Sequence, residues 1–331
     1  MNDPLLAPTF SGIDTFWRAQ YVRPELVPSG HVAVMGAPND MTMSTRPGTR
    51  YGPKAIRQNS CHFITQTRSA PTKEIVDVGT GKRIRIPDEL PLVDCGDMIV
   101  YPNNLERTTV SLRETMHTLV TRGAFPIILG GDHYIAYPLF DGWGRALTES
   151  GRARRLGYLQ IDGHLDAMDD NKVWGKYWHG SNARRISELP FTSVRNMSWL
   201  GTNGFTWADE WDFVQAHSLK MLTTTHIRKL GIKEAARQAV EVAAEGVDAV
   251  YLSLDIDVVD FSLSPGTGST NFGDITPVEL LEAMDVLARY DIIKAFDVVE
   301  VAPTLDPAGI TARLAATAIM TFLTPRLFEA L

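Results

Sequence analysis

Asp162, His164 and Asp166 stand at alternate positions in "GYLQIDGHLDAMDD", directly after an apolar run of strand type. In an extended segment alternate side chains share a face, so the three point the same way. Three co-facing ligand types at the end of a buried strand bring uncompensated charge to the core edge, which is costly unless a cation is present. Three other runs end in similar chemistry. "PIILGGDHY" turns at Gly130 and Gly131 and delivers Asp132 and His133; "VYLSLDIDVVD" puts Asp255 and Asp257 on one face ahead of the turn "SPGTG"; "FDVVEVAP" ends in Glu300. Taken singly, each has a plainer reading, with His133 as a loop residue or helix cap and Asp255 and Asp257 as N-caps. Taken together, two His and four Asp at three strand ends point to a binuclear metal site. Four carboxylates carry about −4 and two divalent ions about +4, so neutral imidazoles leave the site balanced and able to hold a hydroxide. Oxygen-rich ligation without thiolate suits Mn²⁺, with Ni²⁺ or Co²⁺ as alternatives.

These residues must be positioned by the elements before them. "HVAVMGA", "LPLVDCG", "FPIILGG", "LGYLQID", "MSWLGT", "LKMLTT", "DAVYLSLDID" and "IIKAFDVVE" read as strands, and "NLERTTVSLRETMHTLVTRG" and "TPVELLEAMDVLARY" as amphipathic helices among them. Continuous apolar strands separated by helices predict a mostly parallel sheet covered on both faces, whose binding residues collect beyond the strands' carboxyl ends. With 331 residues, 44% hydrophobic content and no composition break, the chain reads as one domain over 1–331, with 1–30 as an N-terminal extension. The formal net charge of −7 and the lack of a basic block argue against nucleic acid and anionic membranes as partners. Two cysteines, Cys61 and Cys95, make no disulfide framework, the opening "MNDPLLAPTF" has no signal-peptide pattern, and no apolar run is of membrane-spanning length. A cytoplasmic location is the expectation.

"GGDH", "DGHLD" and "SLDIDVVDFSLSPGTG" resemble the three signatures of the ureohydrolases, the family of arginase, agmatinase and guanidinobutyrase, and "RPGTRYGP" resembles the agmatinase branch. The resemblance runs from near residue 50 to the last helix. It implies a three-layer α/β/α sandwich around an eight-stranded, mainly parallel sheet, assembled as a homotrimer or homohexamer, and hydrolysis of a small guanidino substrate to urea and an amine. It also implies that His133, Asp162, Asp166 and Asp255 hold one of two divalent ions, and Asp162, His164, Asp255 and Asp257 the other, with Asp162 and Asp255 bridging. A hydroxide between the ions would attack the guanidinium carbon, oriented by Asp166; Glu300 would pair with the guanidinium, and His179, in "YWHGS", would pass a proton to the leaving amine. The plainer reading of His179 is a loop histidine among aromatics.

Departures from the pattern fall beside the ligands: Gly163 where the family usually has Ala, Tyr134 for Ser or Thr, Phe261 for Pro and Ser264 for Ala. The loops expected to rim the site offer Met41, Met43, Trp174, Tyr177 and Trp178, with Asp40, Asp169 and Asp170 as the acids in reach. Aromatic walls favour a short, alkyl or uncharged tail and acidic ones favour agmatine, and Gly163 could supply room that Ala would fill. A guanidinobutyrase, or a hydrolase of a small or N-alkylated guanidine or biguanide, is the alternative within this chemistry. From another class comes a non-catalytic partner subunit of such an enzyme, against which all six ligands are intact.

Overall fold

The computed structural model describes residues 8–63, 73–79 and 81–330; the first seven residues of the expected N-terminal extension lie outside these. Its strands, in chain order, are β1 (Gln20–Tyr21), β2 (Val32–Gly36), β3 (Glu74–Val76), β4 (Arg83–Arg85), β5 (Leu92–Asp97), β6 (Phe125–Leu129), β7 (Leu156–Ile161), β8 (Thr192–Leu200), β9 (Lys220–Leu222), β10 (Ala249–Asp255), β11 (Ile293–Val299) and β12 (Glu329–Ala330). Nine of them form one sheet in the order β1-β5-β2-β6-β11-β10-β7-β8-β9, and every neighbouring pair is parallel. The eight apolar runs read from the sequence are β2 and β5 to β11. The expected eight-stranded sheet is therefore nine-stranded, because Gln20 and Tyr21 lie along the outer edge of β5. That segment is held by neighbours distant in sequence: the Phe16 N–H donates to Asp94 Oδ2 at 2.6 Å and the Trp17 N–H to Ser60 Oγ at 2.7 Å. Two polar edge residues carry no apolar alternation by which to read a strand. β3, β4 and β12 make a small antiparallel sheet apart from the main one.

Alternation along the central strands divides the core in two. Ile127, Leu129, Leu159, Ile161, Leu252, Leu254, Phe296 and Val298 face one way, toward the helices Ile232–Ala244, Pro277–Ala288 and Ile310–Leu327. Ile128, Tyr158, Tyr251 and Ala295 face the other, toward Leu105–Thr121 and Ala136–Glu149. Each such aliphatic side chain contributes roughly 1.5–3 kcal/mol by leaving water. The helix starts are chemical as well: the Asn104 side chain accepts from the Arg107 N–H, and Thr276 and Glu279 form a reciprocal capping box. Among the described residues no helix is long and apolar enough to cross a membrane.

Register is what turns this sheet into a site. Leu254 lies beside both Ile161 and Val298, and Val298 lies beside Leu129. The four central strands β6, β11, β10 and β7 therefore end level, and the residues that follow emerge at one edge. Gly131 makes the first exit passable, since a Cβ there would sit 1.8 Å from the Asn39 carbonyl oxygen. Gly131→Ala should accordingly lower unfolding stability by about 1–3 kcal/mol or more, the usual cost of overpacking against backbone. Chemical denaturation of the variant measures this, and a wild-type midpoint would mean that the loop has room to move.

Candidate metal centre

The level strand ends bring the sequence-predicted residues together. Ligand atoms of His133, Asp162, Asp166 and Asp255 all lie within 4.8 Å of one another, and so do those of Asp162, His164 and Asp257. His133 Nδ1 sits 2.8 Å from Asp166 and 3.1 Å from both Asp162 and Asp255, yet is aligned for a hydrogen bond with none of them. Asp257 Oδ1 is likewise buried without a partner. Lone pairs converging on a common point without donors between them fit a cation better than a hydrogen-bond network. Asp162 belongs to both groups, with Oδ2 toward His133 and Oδ1 toward His164 at 3.6 Å. Asp255 belongs only to the first, because its Oδ1 accepts the Asp257 N–H at 2.9 Å and its Oδ2 faces His133.

Electrostatics give the same picture. Burial, and then the charges of Asp257 and Asp162, push the Asp255 carboxyl well above its ordinary range. Burial raises Asp257 to about 7, against the favourable pull of His164. Asp162 moves the other way despite burial, held ionised by the adjacent imidazoles of His133 and His164. Carboxylates forced into this volume need positive charge, and among the described residues protons on His133, His164 and the neighbouring His179 supply part of it.

Behind the first ligand stands a polar chain that the sequence did not disclose. With Nδ1 toward the carboxylates, the His133 Nε2–H donates to Ser253 Oγ at 3.0 Å; the Ser253 hydroxyl donates to Asp297 Oδ1 at 2.6 Å, and the Tyr251 hydroxyl to Asp297 Oδ2 at 2.7 Å. All four residues are fully buried. The direction of donation fixes the His133 tautomer and ring orientation, the usual task of a group behind a metal-binding imidazole. Gln160 Nε2 donates to Asp162 Oδ2 at 2.6 Å in the same layer.

His179 and Glu300 also arrive at this edge. Glu300 Oε1 accepts the His133 N–H at 2.8 Å and lies 3.2 Å from His179 Nδ1, leaving Oε2 buried and free. The Ser44 N–H donates to His179 Nε2 at 3.1 Å, so Nε2 is the acceptor and the proton sits on Nδ1, toward Glu300. Burial lowers the His179 pKa, but the Glu300 carboxylate outweighs it and the net direction is upward. Asp132 does not join the cluster: it accepts from Asn39 Nδ2, the Thr42 N–H and the Thr42 hydroxyl, and so ties down the loop that carries Ser44. Asp166 and Glu300 both hold positive φ, 50° and 64°, a strained backbone of the kind found at functional sites.

A cleft opens onto these groups, lined by His164, Asp166, His179, Asp255 and Asp257 on the polar side and by Leu165, Met168, Trp178, Phe205 and Trp207 on the apolar side, with Ser44 and Glu210. Of the expected rim residues only Trp178 lines it. Trp174 stacks behind Trp178 at 4.8 Å, Tyr177 stacks on Tyr137, Asp40 pairs with Arg50, and Asp169 pairs with Arg184 and Arg185. Phe205, Trp207 and Glu210 come from the segment after β8, which has no metal-ligand pattern to single it out. The four departures lie off the cleft: Tyr134 is buried with its hydroxyl 2.7 Å from Thr109 Oγ1, Ser264 bonds to Thr311, and Phe261 packs on Phe272. A Cβ at Gly163 would meet the Asp257 carbonyl oxygen at 3.3 Å, so Gly163 makes room beside a ligand and not for substrate.

A family model described as the Arginase family matches residues 30–324. A guanidinopropionase of Pseudomonas aeruginosa is 29% identical over 323 residues, 96% of this chain and 92% of that protein. An agmatinase of Neisseria meningitidis is 28% identical, over 88% of this chain and 85% of its own. The solved structure of the proclavaminate amidinohydrolase of Streptomyces clavuligerus superposes with a TM-score of 0.79 at 28% identity, covering 96% of this chain and 98% of that one.

The chain behind His133 yields a measurement. Ser253→Ala should weaken divalent-metal binding about 10–100-fold, the usual cost of losing such a support. Tyr251→Phe, which removes only the outer hydrogen bond to Asp297, should leave it nearly unchanged. Titration of metal into the stripped proteins reads both, and equal losses would mean that the effect is general packing.

Proposed function

The chain belongs to the arginase family, on its agmatinase-like branch, and is a hydrolase of C–N bonds in linear amidines; on that premise we propose that it releases urea and an amine from a guanidino compound. The observation carrying this reading is the buried His133–Asp162–Asp166–Asp255 group, linked through Asp162 to His164 and Asp257 and through the His133 N–H to a Glu300 with one free oxygen. His133, Asp162, Asp166 and Asp255 would hold one divalent ion and Asp162, His164 and Asp257 a second, with Asp255 beside it through the Asp257 N–H. Mn²⁺ suits the oxygen-rich donors first and Ni²⁺ second, and either supplies the Lewis acidity that makes hydroxide available from water near neutral pH.

The chain's own residues do the rest. Glu300 Oε2 accepts from the guanidinium N–H groups and fixes the planar carbon over the cluster. Asp166, on the cleft side, orients the attacking oxygen by accepting its proton. As the C–N bond breaks, the leaving nitrogen takes a proton from His179 in its imidazolium form, which the neighbouring Glu300 carboxylate favours, and the ring regains it from the proton that Asp166 has accepted. Two free, buried cysteines accord with a reducing cytosol, and a homotrimer or homohexamer is the assembly proposed. Several relatives are named for guanidino acids, among them guanidinopropionase and guanidinobutyrase, and a guanidinobutyrase remains the alternative within this chemistry. A urea-release screen across guanidino compounds, with Mn²⁺ and Ni²⁺ supplied in turn, tests the reading; no urea from any guanidine with either metal would refute it.

Elemental analysis of active protein should find close to two divalent ions per chain, with Asp162→Ala losing more metal than Asp257→Ala because Asp162 belongs to both groups. One tightly bound ion in fully active enzyme would sink the binuclear reading. His179→Ala should lower kcat by about 10²–10⁴ at unchanged metal content, and Glu300→Gln should chiefly raise KM and also reduce kcat. Metal loss in the His179 variant would make that residue a ligand instead of a proton carrier.

A further inference from the structure

The apolar side of the cleft, with Met168, Trp178 and Trp207, and Glu210 among them, is the wall left for the substrate's tail. None of the described residues lining this cleft is Lys or Arg. Several basic side chains of the flanking loops are engaged elsewhere. Arg46 donates to the Thr267 and Gly268 carbonyls, Arg228 to that of Gly273, Arg184 and Arg185 pair with Asp169, and Lys176 pairs with Glu188. Among the described residues lining the cleft, Glu210 is the one acid outside the candidate ligand set. It is 6% exposed, accepts the Ala167 N–H at 2.7 Å on Oε1 and the Thr206 hydroxyl on Oε2, and so keeps one acceptor direction on each oxygen.

A carboxylate brought into this cleft would leave water without meeting a cation and would face Glu210 and the aspartates, both of which are unfavourable. A tail ending in N–H groups would instead find an acceptor at Glu210 and flat apolar walls along its methylenes. We propose, resting on the guanidino-hydrolase reading, that this enzyme takes guanidines whose tail carries no carboxylate, with Glu210 accepting from an N–H at the tail's end and Trp178 and Trp207 holding its stem. Glu210 is thereby a specificity residue in contact with substrate, and the discrimination is against guanidino acids.

Four guanidines of equal tail length isolate the end group: agmatine, 4-guanidinobutyramide, n-butylguanidine and 4-guanidinobutyrate. On the metal-loaded enzyme the carboxylate should have the lowest kcat/KM, by about 100-fold or more against the best of the other three. Glu210→Gln, checked for unchanged metal content, should narrow that gap about tenfold, mainly by improving 4-guanidinobutyrate. Trp207→Ala, at a half-exposed position, should weaken all four tails while preserving their order. Binding of the same compounds, followed by quenching of tryptophan fluorescence, gives the ranking without turnover. A 4-guanidinobutyrate that ranks first, or within tenfold of first, in either measurement overturns the proposal while leaving guanidine hydrolysis intact. A Glu210→Gln protein with unchanged ratios overturns the role of Glu210. Failure of all four to yield urea would count against the hydrolase reading instead, and the binding order would still judge the tail.

Discussion

Asp162, Asp166, Asp255, Asp257 and Glu300 are crowded into one small volume at the centre of a sheet edge, with no Lys or Arg among the described residues lining the cleft before them. Two like charges about 4 Å apart repel by roughly 4 kcal/mol at an effective dielectric of 20, so the arrangement is costly to fold by itself. Much of the surrounding structure offsets that cost. Backbone N–H groups of His133, His164 and Asp257 point at Glu300, Asp162 and Asp255, the side chain of Gln160 caps Asp162, and two imidazoles stand ready to share charge. Divalent ions would complete the balance, which would tie metal binding to stability as well as to chemistry.

The parallel sheet is the means of assembling such a site from distant parts of the chain. Parallel neighbours all present the same end, so the exits of β6, β11, β10 and β7 share one edge although their residues are spread over more than half of the sequence. Close packing of two apolar layers holds the register, and a one-residue slip would turn Asp162 or Asp255 to the opposite face of the sheet. Positive φ at Asp166 and Glu300 shows where the backbone yields so that the side chains converge. The loop bearing Ser44 is fastened by Asp132, so the "GGDH" turn contributes twice, with His133 as a candidate ligand and Asp132 as anchor.

The residues that converge at the strand ends and the eight principal strands were legible in the sequence because both are local signals. Alternation puts Asp162, His164 and Asp166 on one face without reference to any other segment, and apolar continuity marks a strand buried on both sides. The edge strand Gln20–Tyr21 was not legible, since its reason for being extended is the neighbouring strand Leu92–Asp97 and not its own residues. The cleft walls were misread for a related reason. Trp174 and Tyr177 lie close in sequence to the candidate ligands, but stacking on Trp178 and Tyr137 takes them from the cleft, and Met41 and Met43 do not line it either, while the unremarked segment after β8 supplies Phe205, Trp207 and Glu210.

By itself, then, the amino-acid order determined which groups could offer themselves to a metal and which class of chemistry they permit, because donor type and spacing along one strand suffice for that. The tertiary structure decided what those groups lean on and what they face. The chain from His133 through Ser253 to Asp297, the Ser44 contact that sets the His179 tautomer, and the acidic, cation-free cleft around Glu210 each join residues far apart in sequence. Such contacts follow from the order of strands in the sheet and the packing of loops over its edge, and no local pattern of residues encodes them.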